Sequence, residues 1–368
     1  MKRRFNLFSI FWVGIGLLII SSCSASRNSK ASILPQTNIT NEGGSSEWQQ
    51  GIILLRQGDY RAARQMFIEA YKQNPQDGGT LFYLGLTLEL LNQKALALPV
   101  YGRFVQLPKT DPFREVLRGR YHWLVRGILE TQYREAAEET PEEIVPHRVV
   151  VLPFMLRHSA PEWQGLGRAF AALITEDLSQ ISRLQVVDGL QQQALFHAIG
   201  VTENITLSGA LVHKIIQAAK SGQVIVGTVV ARPEGRIAIT ATVVHHRKGI
   251  LPVVSVQGDQ SEWFKLQKQL VLHLLKALDV RLTIKERDHL QLLPTRQWGA
   301  LLAFGRGLTY EDLGDYDLAA FYYEQAFTID SHFQVARQRL QYAQTLHLVS
   351  GQAQQVVQTM QGHKLSRK

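Results

Sequence analysis

Cysteine is almost absent from this chain of 368 residues, because Cys23 is the only one. A single thiol cannot form an internal disulfide, and it excludes metal sites that are built from several cysteines. Packed cores must therefore stabilise the fold. A hydrophobic content of 45% over this length allows two or three such cores.

Long apolar runs are scarce as well, and the most informative one ends just before Cys23. It extends from Leu7 to Ile20 and follows the basic start Lys2-Arg3-Arg4. The run is shorter than the ~20 residues that a transmembrane helix needs, and a basic start before such a run is typical of a secretory signal. We therefore predict an exported protein.

The end of this run, Ile20-Ser21-Ser22-Cys23, resembles the lipobox of bacterial lipoproteins. The resemblance implies cleavage before Cys23, a diacylglycerol thioether on its sulfur, and palmitate-type acylation of the new N-terminus. Each buried CH₂ of such chains contributes ~0.8 kcal/mol to membrane anchoring. Ser24 resembles the residue that sorts lipoproteins to the outer membrane, facing the periplasm. An ordinary signal peptide with a chance cysteine is the alternative.

Charge argues against nucleic acid as a partner. Loss of residues 1–22 lowers the net charge from +9 to +6, since three basic residues and no acidic ones are removed. No dense Lys/Arg run remains, and export separates the protein from nucleic acid. The polar stretch after Cys23, rich in Ser, Asn and Gly, predicts a flexible tether.

A repeat of 34 residues follows the tether, with glycines at Gly51, Gly85 and Gly119. The first unit resembles the tetratricopeptide (TPR) pattern, which implies paired helices whose small residues lie where the helices cross. The second unit is degenerate, with Pro99 inside its second helix, and the third keeps only its glycine and predicts capping helices. The positions that match in the first unit are Gly51, Gly58-Asp59-Tyr60, Ala63, Phe67, Ala70 and Pro75.

The same pattern returns at a constant offset of 256 residues near the C-terminus. Because this offset is not a multiple of 34, it predicts a second module rather than one continuous solenoid. The matching positions there are Gly307, Gly314-Asp315-Tyr316, Ala319, Tyr323 and Ala326.

Between the modules the periodicity changes to that of a mixed sheet with helices. Predicted strands cover 148–154, 184–188, 224–231, 236–244 and 250–256, and predicted helices cover 162–182, 190–199, 208–220 and 261–278. Three segments of this region resemble the periplasmic domain of curli-secretion lipoproteins (CsgG/HfaB-like) and of the TolB N-terminal type. They are Val149-Val-Val-Leu-Pro-Phe154, Leu173-Ile-Thr-Glu-Asp-Leu-Ser179 and Val224-Ile-Val-Gly-Thr228.

Catalytic signatures are missing from this sequence. The glycines of 222–228 lie in a predicted strand without a phosphate-binding Lys, and Gly165-Leu-Gly167 lacks the rest of a dinucleotide motif. The neighbours His245 and His246 are expected on opposite faces of a strand, which disfavours a shared metal. The acids Glu142-Glu143 and Asp312/Asp315 are interpreted as linker and turn residues. We therefore expect no enzyme, cofactor or metal site.

The predicted fold class is multidomain α and α/β, with N-terminal TPR hairpins, a central mixed-sheet α/β domain and a C-terminal TPR hairpin. The predicted boundaries are 1–22 signal peptide, 23–46 tether, 47–138 N-terminal TPR domain with capping helices, 139–146 linker, 147–284 α/β domain, 285–362 C-terminal TPR with its cap, and 363–368 tail.

The expected function is that of an outer-membrane-anchored scaffold for envelope biogenesis or secretion, whose TPR grooves bind protein segments. The groove residues predicted by register are Trp48, Ile52, Leu55, Phe82, Leu86, Glu89, Phe304, Leu308 and Glu311. The alternative for these side chains is burial against neighbouring domains. Alternatives for the protein are a subunit of a CsgG-like secretion channel, which the short turns disfavour, and a small-ligand-binding or enzymatic α/β domain.

Overall fold

Two helical modules flank a mixed sheet in the computed structural model, which describes residues 45–139, 143–157, 161–202 and 208–362. All of these belong to one unit, Gln36–Lys368. The predictions for the signal peptide, Cys23, nearly all of the tether, linker residues 140–142 and the tail at 363–368 lie outside the described residues.

The N-terminal module has two helical hairpins followed by one long helix. The long helix has 23 residues and forms the predicted cap alone. Pro99 lies in the fourth helix, which passes into a 3-10 turn at 102–106. The helices are α1 (Ser46–Gln57), α2 (Tyr60–Gln73), α3 (Gly78–Leu90), α4 (Lys94–Tyr101) and α5 (Arg114–Ala136).

A Gly-Asp pair forms the turn of the first hairpin and of its C-terminal counterpart. Gly58 and Gly314 adopt left-handed φ angles of 81° and 79°, which a side chain would disfavour. The next residue caps the following helix. Asp59 Oδ1 accepts from the backbone N–H of Ala62 at 3.0 Å, and Asp315 Oδ1 accepts from the backbone N–H of Leu318 at 3.1 Å.

Each repeat unit also packs an aromatic ring against a glycine of the preceding helix. A Cβ on that glycine would overlap the ring, so only glycine allows this close crossing of the two helices. The pairs are Gly51–Phe67, Gly85–Tyr101 and Gly307–Tyr323, with Cβ-to-ring distances of 2.7, 2.3 and 2.5 Å.

The central sheet joins a parallel part to an antiparallel hairpin. Its strands are β1 (Val145–Val151), β2 (Met155–Arg157), β3 (Gln185–Val186), β4 (Ser221–Arg232), β5 (Arg236–His245), β6 (Gly249–Ile250) and β7 (Val254–Asp259). They lie in the order β3-β1-β4-β5-β6, with β2 beside β4 and β7 beside β5. Strand β1 pairs in parallel with β3 and β4, and the hairpin strands β4 and β5 pair antiparallel over ten residue pairs.

Prolines explain two departures from the predicted strands. The run 148–154 is not one strand, because Pro153 lacks an N–H and separates β1 from β2. Pro252 likewise separates β6 from β7 within the predicted strand 250–256. The predicted strand 184–188 is shorter in the structure and covers only Gln185–Val186.

The two faces of the sheet contribute to two different cores. Val149 and Val151 belong to the larger core, whereas Val150 and Leu152 belong to the other one. This alternation follows from the two-residue period of a strand. The flanking helices are α6 (Leu166–Ser179), α7 (Gly189–Ile199), α8 (Gly209–Ala219) and α9 (Trp263–Ala277).

The C-terminal module shares the larger core with the sheet. Leu301, Phe304 and Phe333 pack in the same cluster as Phe170 of α6 and Trp263 of α9. The independence of residues 147–284 as a domain stays a prediction. The remaining helices are α10 (Ile284–Leu290), which was not predicted, α11 (Trp298–Asp312), α12 (Tyr316–Ile329), α13 (Gln334–Val349) and α14 (Ala353–Gly362).

Candidate interaction surfaces

The residues predicted to line a partner groove do not form an open surface. Trp48 is partly buried, and its ring lies edge-on against Tyr83 at a centroid distance of 6.1 Å. The prediction of an exposed groove is therefore corrected in favour of burial, the alternative that the sequence left open. The buried members are Ile52, Leu55, Phe82, Leu86, Glu89, Phe304, Leu308 and Glu311.

Other parts of the same chain cover these faces. Helices α14 and α5 pack against α3, whose residues from Gly78 to Glu89 are all buried. Helices α6 and α7 pack against α11. These contacts join segments that are far apart in sequence, so helix periodicity alone could not predict them.

Glu89 is the centre of a buried polar cluster in the N-terminal module. Its carboxylate accepts hydrogen bonds from Tyr101 Oη at 2.7 Å and from Arg120 Nε and Nη2 at 2.8 and 2.7 Å. Arg120 Nη1 also donates to the backbone oxygens of Val349 and Gly351, at 2.6 and 2.8 Å. This cluster thereby fastens the N-terminal module to the end of α13.

Glu311 repeats the arrangement in the C-terminal module. It accepts from Tyr323 Oη at 2.5 Å and from Arg339 Nη1 at 2.8 Å. Gln193 Nε2 of α7 donates to the same carboxylate at 2.5 Å, which fixes this module to the α/β part. Burial and the Glu311 carboxylate raise the pKa of the Tyr323 hydroxyl well above its usual range, so this hydroxyl is a hydrogen-bond donor at neutral pH.

The two clusters share a sequence signal. In both, the tyrosine follows the glutamate by 12 residues, and an arginine follows on the next packed helix. A glutamate at a predicted groove position that is followed by a tyrosine 12 residues later therefore indicates a buried carboxylate with hydrogen-bond donors, not an exposed one. The groove prediction, which rests on helix register alone, does not use this spacing.

An open cleft of about 590 Å³ lies where the three parts of the chain meet. Its walls come from α5, α6, α7 and α13, and they carry charges of both signs. The lining includes Glu115, Arg118, His122, Glu176, Arg339 and Tyr342.

His122 lies in this cleft with a strongly lowered pKa. Burial, together with the positive charges of Arg118 and Arg339, lowers the pKa of His122 to about 4. The imidazole is therefore neutral at pH 7. Its ring lies edge-on against Tyr342 at 5.7 Å, so it packs as an aromatic group rather than pairing with a carboxylate.

A second open groove, of about 470 Å³, runs along α5. Trp123 lines it together with Ile128, which is 39% exposed. Arg126 stacks over the Trp123 ring, with 5.1 Å between its Cζ atom and the ring centroid, and its Nε forms an ion pair with Glu130 at 3.0 Å. The groove thus combines an aromatic anchor, an exposed aliphatic side chain and charges of both signs.

Comparison with known families agrees with the two helical modules. Models of the tetratricopeptide repeat match residues 49–112 and residues 302–333. The chain contains tetratricopeptide repeats. Such repeats are generally protein-interaction modules, so a scaffold role is supported at this level. A search of curated proteins finds no match for the chain.

Outside the tetratricopeptide modules, the glycine motifs have structural roles. Gly222 to Thr228 lie in β4, as the sequence predicted. Gly165 has φ 88° at the start of α6 and lies against the backbone of Gly305 in α11. It therefore serves a close helix crossing between the α/β part and the C-terminal tetratricopeptide module.

The histidine pair departs from its prediction. The rings of His245 and His246 stack at 4.9 Å instead of pointing to opposite faces, because β5 ends at His245. His245 Nδ1 accepts from the backbone N–H of Arg247, and His246 Nδ1 lies 3.2 Å from the Gly222 oxygen. Within the described ranges, no group of three or more His, Cys, Asp or Glu residues could hold a metal ion.

The two acids Asp312 and Asp315, both predicted to be turn residues, have different contacts in the structure. Asp315 caps α12, as a turn residue should, whereas Asp312 forms an ion pair with Arg168 of α6 at 2.7 Å. Glu142 lies outside the described residues. Among the helices that the structure describes, none is both long and apolar enough to span a membrane.

Proposed function

We propose that this protein is a lipid-anchored scaffold of the bacterial outer membrane that faces the periplasm and holds partner proteins during envelope biogenesis or secretion. The observation that carries the proposal is the pair of tetratricopeptide modules, one on each side of the α/β part. The lipobox-like Ile20-Ser21-Ser22-Cys23 supports the anchor.

The partner-binding surface in this proposal is the α5 groove rather than the buried faces of α1, α3 and α11. Trp123 and Ile128 provide apolar contact area in an open groove of about 470 Å³. Aromatic anchors dominate the binding energy of most interfaces. A partner segment that places an apolar residue there and charged residues beside Arg126 and Glu130 would complement the groove.

The contact between α5 and the C-terminal module fits this role because it holds the groove in one geometry. Arg126 Nη1 donates to Tyr316 Oη of the C-terminal module at 2.9 Å. Trp123 meets the same ring edge-on at 6.5 Å. A surface that is already ordered loses little conformational entropy when a partner binds, so its affinity is higher.

A charge in the groove should abolish partner binding without unfolding the protein. We expect Ile128→Glu to lose envelope partners in pull-downs from detergent-solubilised membranes, because it places a carboxylate at the apolar contact. Leu318→Glu is the matched control, since both side chains are 39% exposed and only Ile128 lines the groove. Equal retention of partners by both variants would reject the groove.

Anchoring is tested separately at Cys23. We expect Cys23→Ala to remain uncleaved by the lipoprotein pathway and to leave the outer-membrane fraction, since the acyl chains can no longer be attached. Ser29→Ala in the tether should change neither result. Unchanged fractionation of Cys23→Ala, with no acyl mass on the wild-type N-terminus, would contradict the anchor.

The cleft of about 590 Å³ favours a second candidate, a small-ligand-binding protein. Arg118 and Arg339 in its wall would contact an anionic ligand, and Glu115 and Glu176 a cationic one. A native mass spectrum of the protein purified from envelopes would distinguish this function, because a bound anionic ligand adds a defined mass that Arg118→Ala removes.

A further inference from the structure

The turn between β5 and β7 carries a combination of charge and apolar exposure that the scaffold role does not use. We call residues 245–253 the basic turn. Arg247 and Lys248 are exposed at its tip. Ile250 and Val253 follow, with 73% and 65% of their surfaces exposed. The basic turn therefore exposes two large aliphatic side chains next to two cationic ones.

The charge of the basic turn is not balanced locally. No acidic residue occurs between Glu234 and Asp259, which lie at the other end of the hairpin. Burial and the neighbouring charges of His246, Lys248 and Arg247 lower the pKa of His245, which reflects the same concentration of positive charge.

Neighbouring elements add basic side chains at this end of the sheet. His246 donates its backbone N–H to Gly222, whose Cα lies against Pro146, so exposed His147 is close by. Helix α9 begins after β7 and packs on both β7 and β5. Lys276 is exposed in its last turn.

A second exposed apolar patch on the molecule has the opposite charge. Phe321 is exposed on α12, and the exposed acids around it are Asp315, Asp317 and Glu324. A membrane with anionic lipids would repel that patch. The two patches are therefore suited to different partners, and of the two it is the basic turn that has the charge an anionic lipid surface attracts.

We infer that the basic turn docks on the surface of an anionic lipid bilayer. Ile250 and Val253 insert among the acyl chains near the headgroups, while Arg247 and Lys248 contact lipid phosphates. Interfacial segments bind by this combination of buried apolar area and electrostatic attraction. The inference does not depend on acylation of Cys23, because these side chains contact lipid directly.

Vesicle cosedimentation tests the inference with the chain from residue 23 onward carrying Cys23→Ala, which has no thiol to acylate. We expect it to bind vesicles of phosphatidylglycerol and phosphatidylcholine but not vesicles of phosphatidylcholine alone. Added salt should weaken binding, because it screens exposed charges. Arg247→Glu/Lys248→Glu should lower the partition coefficient about tenfold or more, and Ile250→Ser/Val253→Ser should also lower it.

Arg232→Glu/Arg236→Glu is the matched control. These two exposed residues pair at the opposite end of the same hairpin, so the change in net charge is identical. The control should keep vesicle binding. Loss of binding in this control would show a general effect of net charge and overturn the inference. So would binding to a soluble polyanion without any binding to anionic vesicles, which would point to a wall polymer or an acidic protein.

Discussion

Replacing Glu89 by Ala is expected to lower the free energy of unfolding by about 3–5 kcal/mol. The carboxylate accepts two hydrogen bonds from Arg120, whose side chain is only 1% exposed. Its removal leaves a guanidinium charge in the protein interior, held only by the backbone oxygens of Val349 and Gly351. The effect should therefore exceed the loss of one ordinary hydrogen bond.

Guanidinium-induced unfolding, followed by circular dichroism, measures this change. The double variant Glu89→Leu/Arg120→Met should be less destabilised than Glu89→Ala alone, because no charge is left buried. Glu324→Ala is an exposed control and should stay within about 0.5 kcal/mol of the wild type. A Glu89→Ala protein as stable as that control would contradict the buried ion pair.

Local patterns predicted the helical hairpins and most of the sheet. Gly58-Asp59 and Gly314-Asp315 specify a helix end and the next helix cap within two residues, so the signal is contained in the sequence. The period-two alternation of β5, with Ile237, Ile239 and Val243 on one face, likewise matches the structure. Such features depend on neighbours in the chain, which a sequence displays directly.

The candidate site could not be predicted in the same way. A face of α3 looks like an open groove when only its own repeat is considered. Arg120 and Val349 are 229 residues apart, yet their contact helps to close the region around Glu89. The sequence does not predict the α5 groove, because the third repeat keeps only its glycine and predicts no more than capping helices. The groove is open because of the positions of α4 and the C-terminal module. These positions cannot be predicted from the sequence of α5 alone.

Long-range packing also explains a glycine where α11 crosses α6. Gly305 of α11 lies against Gly165 at the start of α6, and a Cβ on Gly305 would come within 2.2 Å of the Gly165 oxygen. That oxygen already accepts from the backbone N–H of Ala169 at 2.9 Å. Neither backbone can move away without separating α6 from α11, which would open the core that they share.

Gly305→Ala is therefore expected to lower the free energy of unfolding by about 3 kcal/mol, measured by guanidinium-induced unfolding. Gly299→Ala on the same helix is the matched control, because its Cβ would meet only Ile329 at 3.5 Å, an ordinary contact. Alanine favours a helix over glycine by up to about 1 kcal/mol, so this control should be neutral or slightly stabilising. If both variants behave alike, the two backbones are not in contact, and the C-terminal module is attached to the α/β part by side chains such as Arg168 and Asp312 alone.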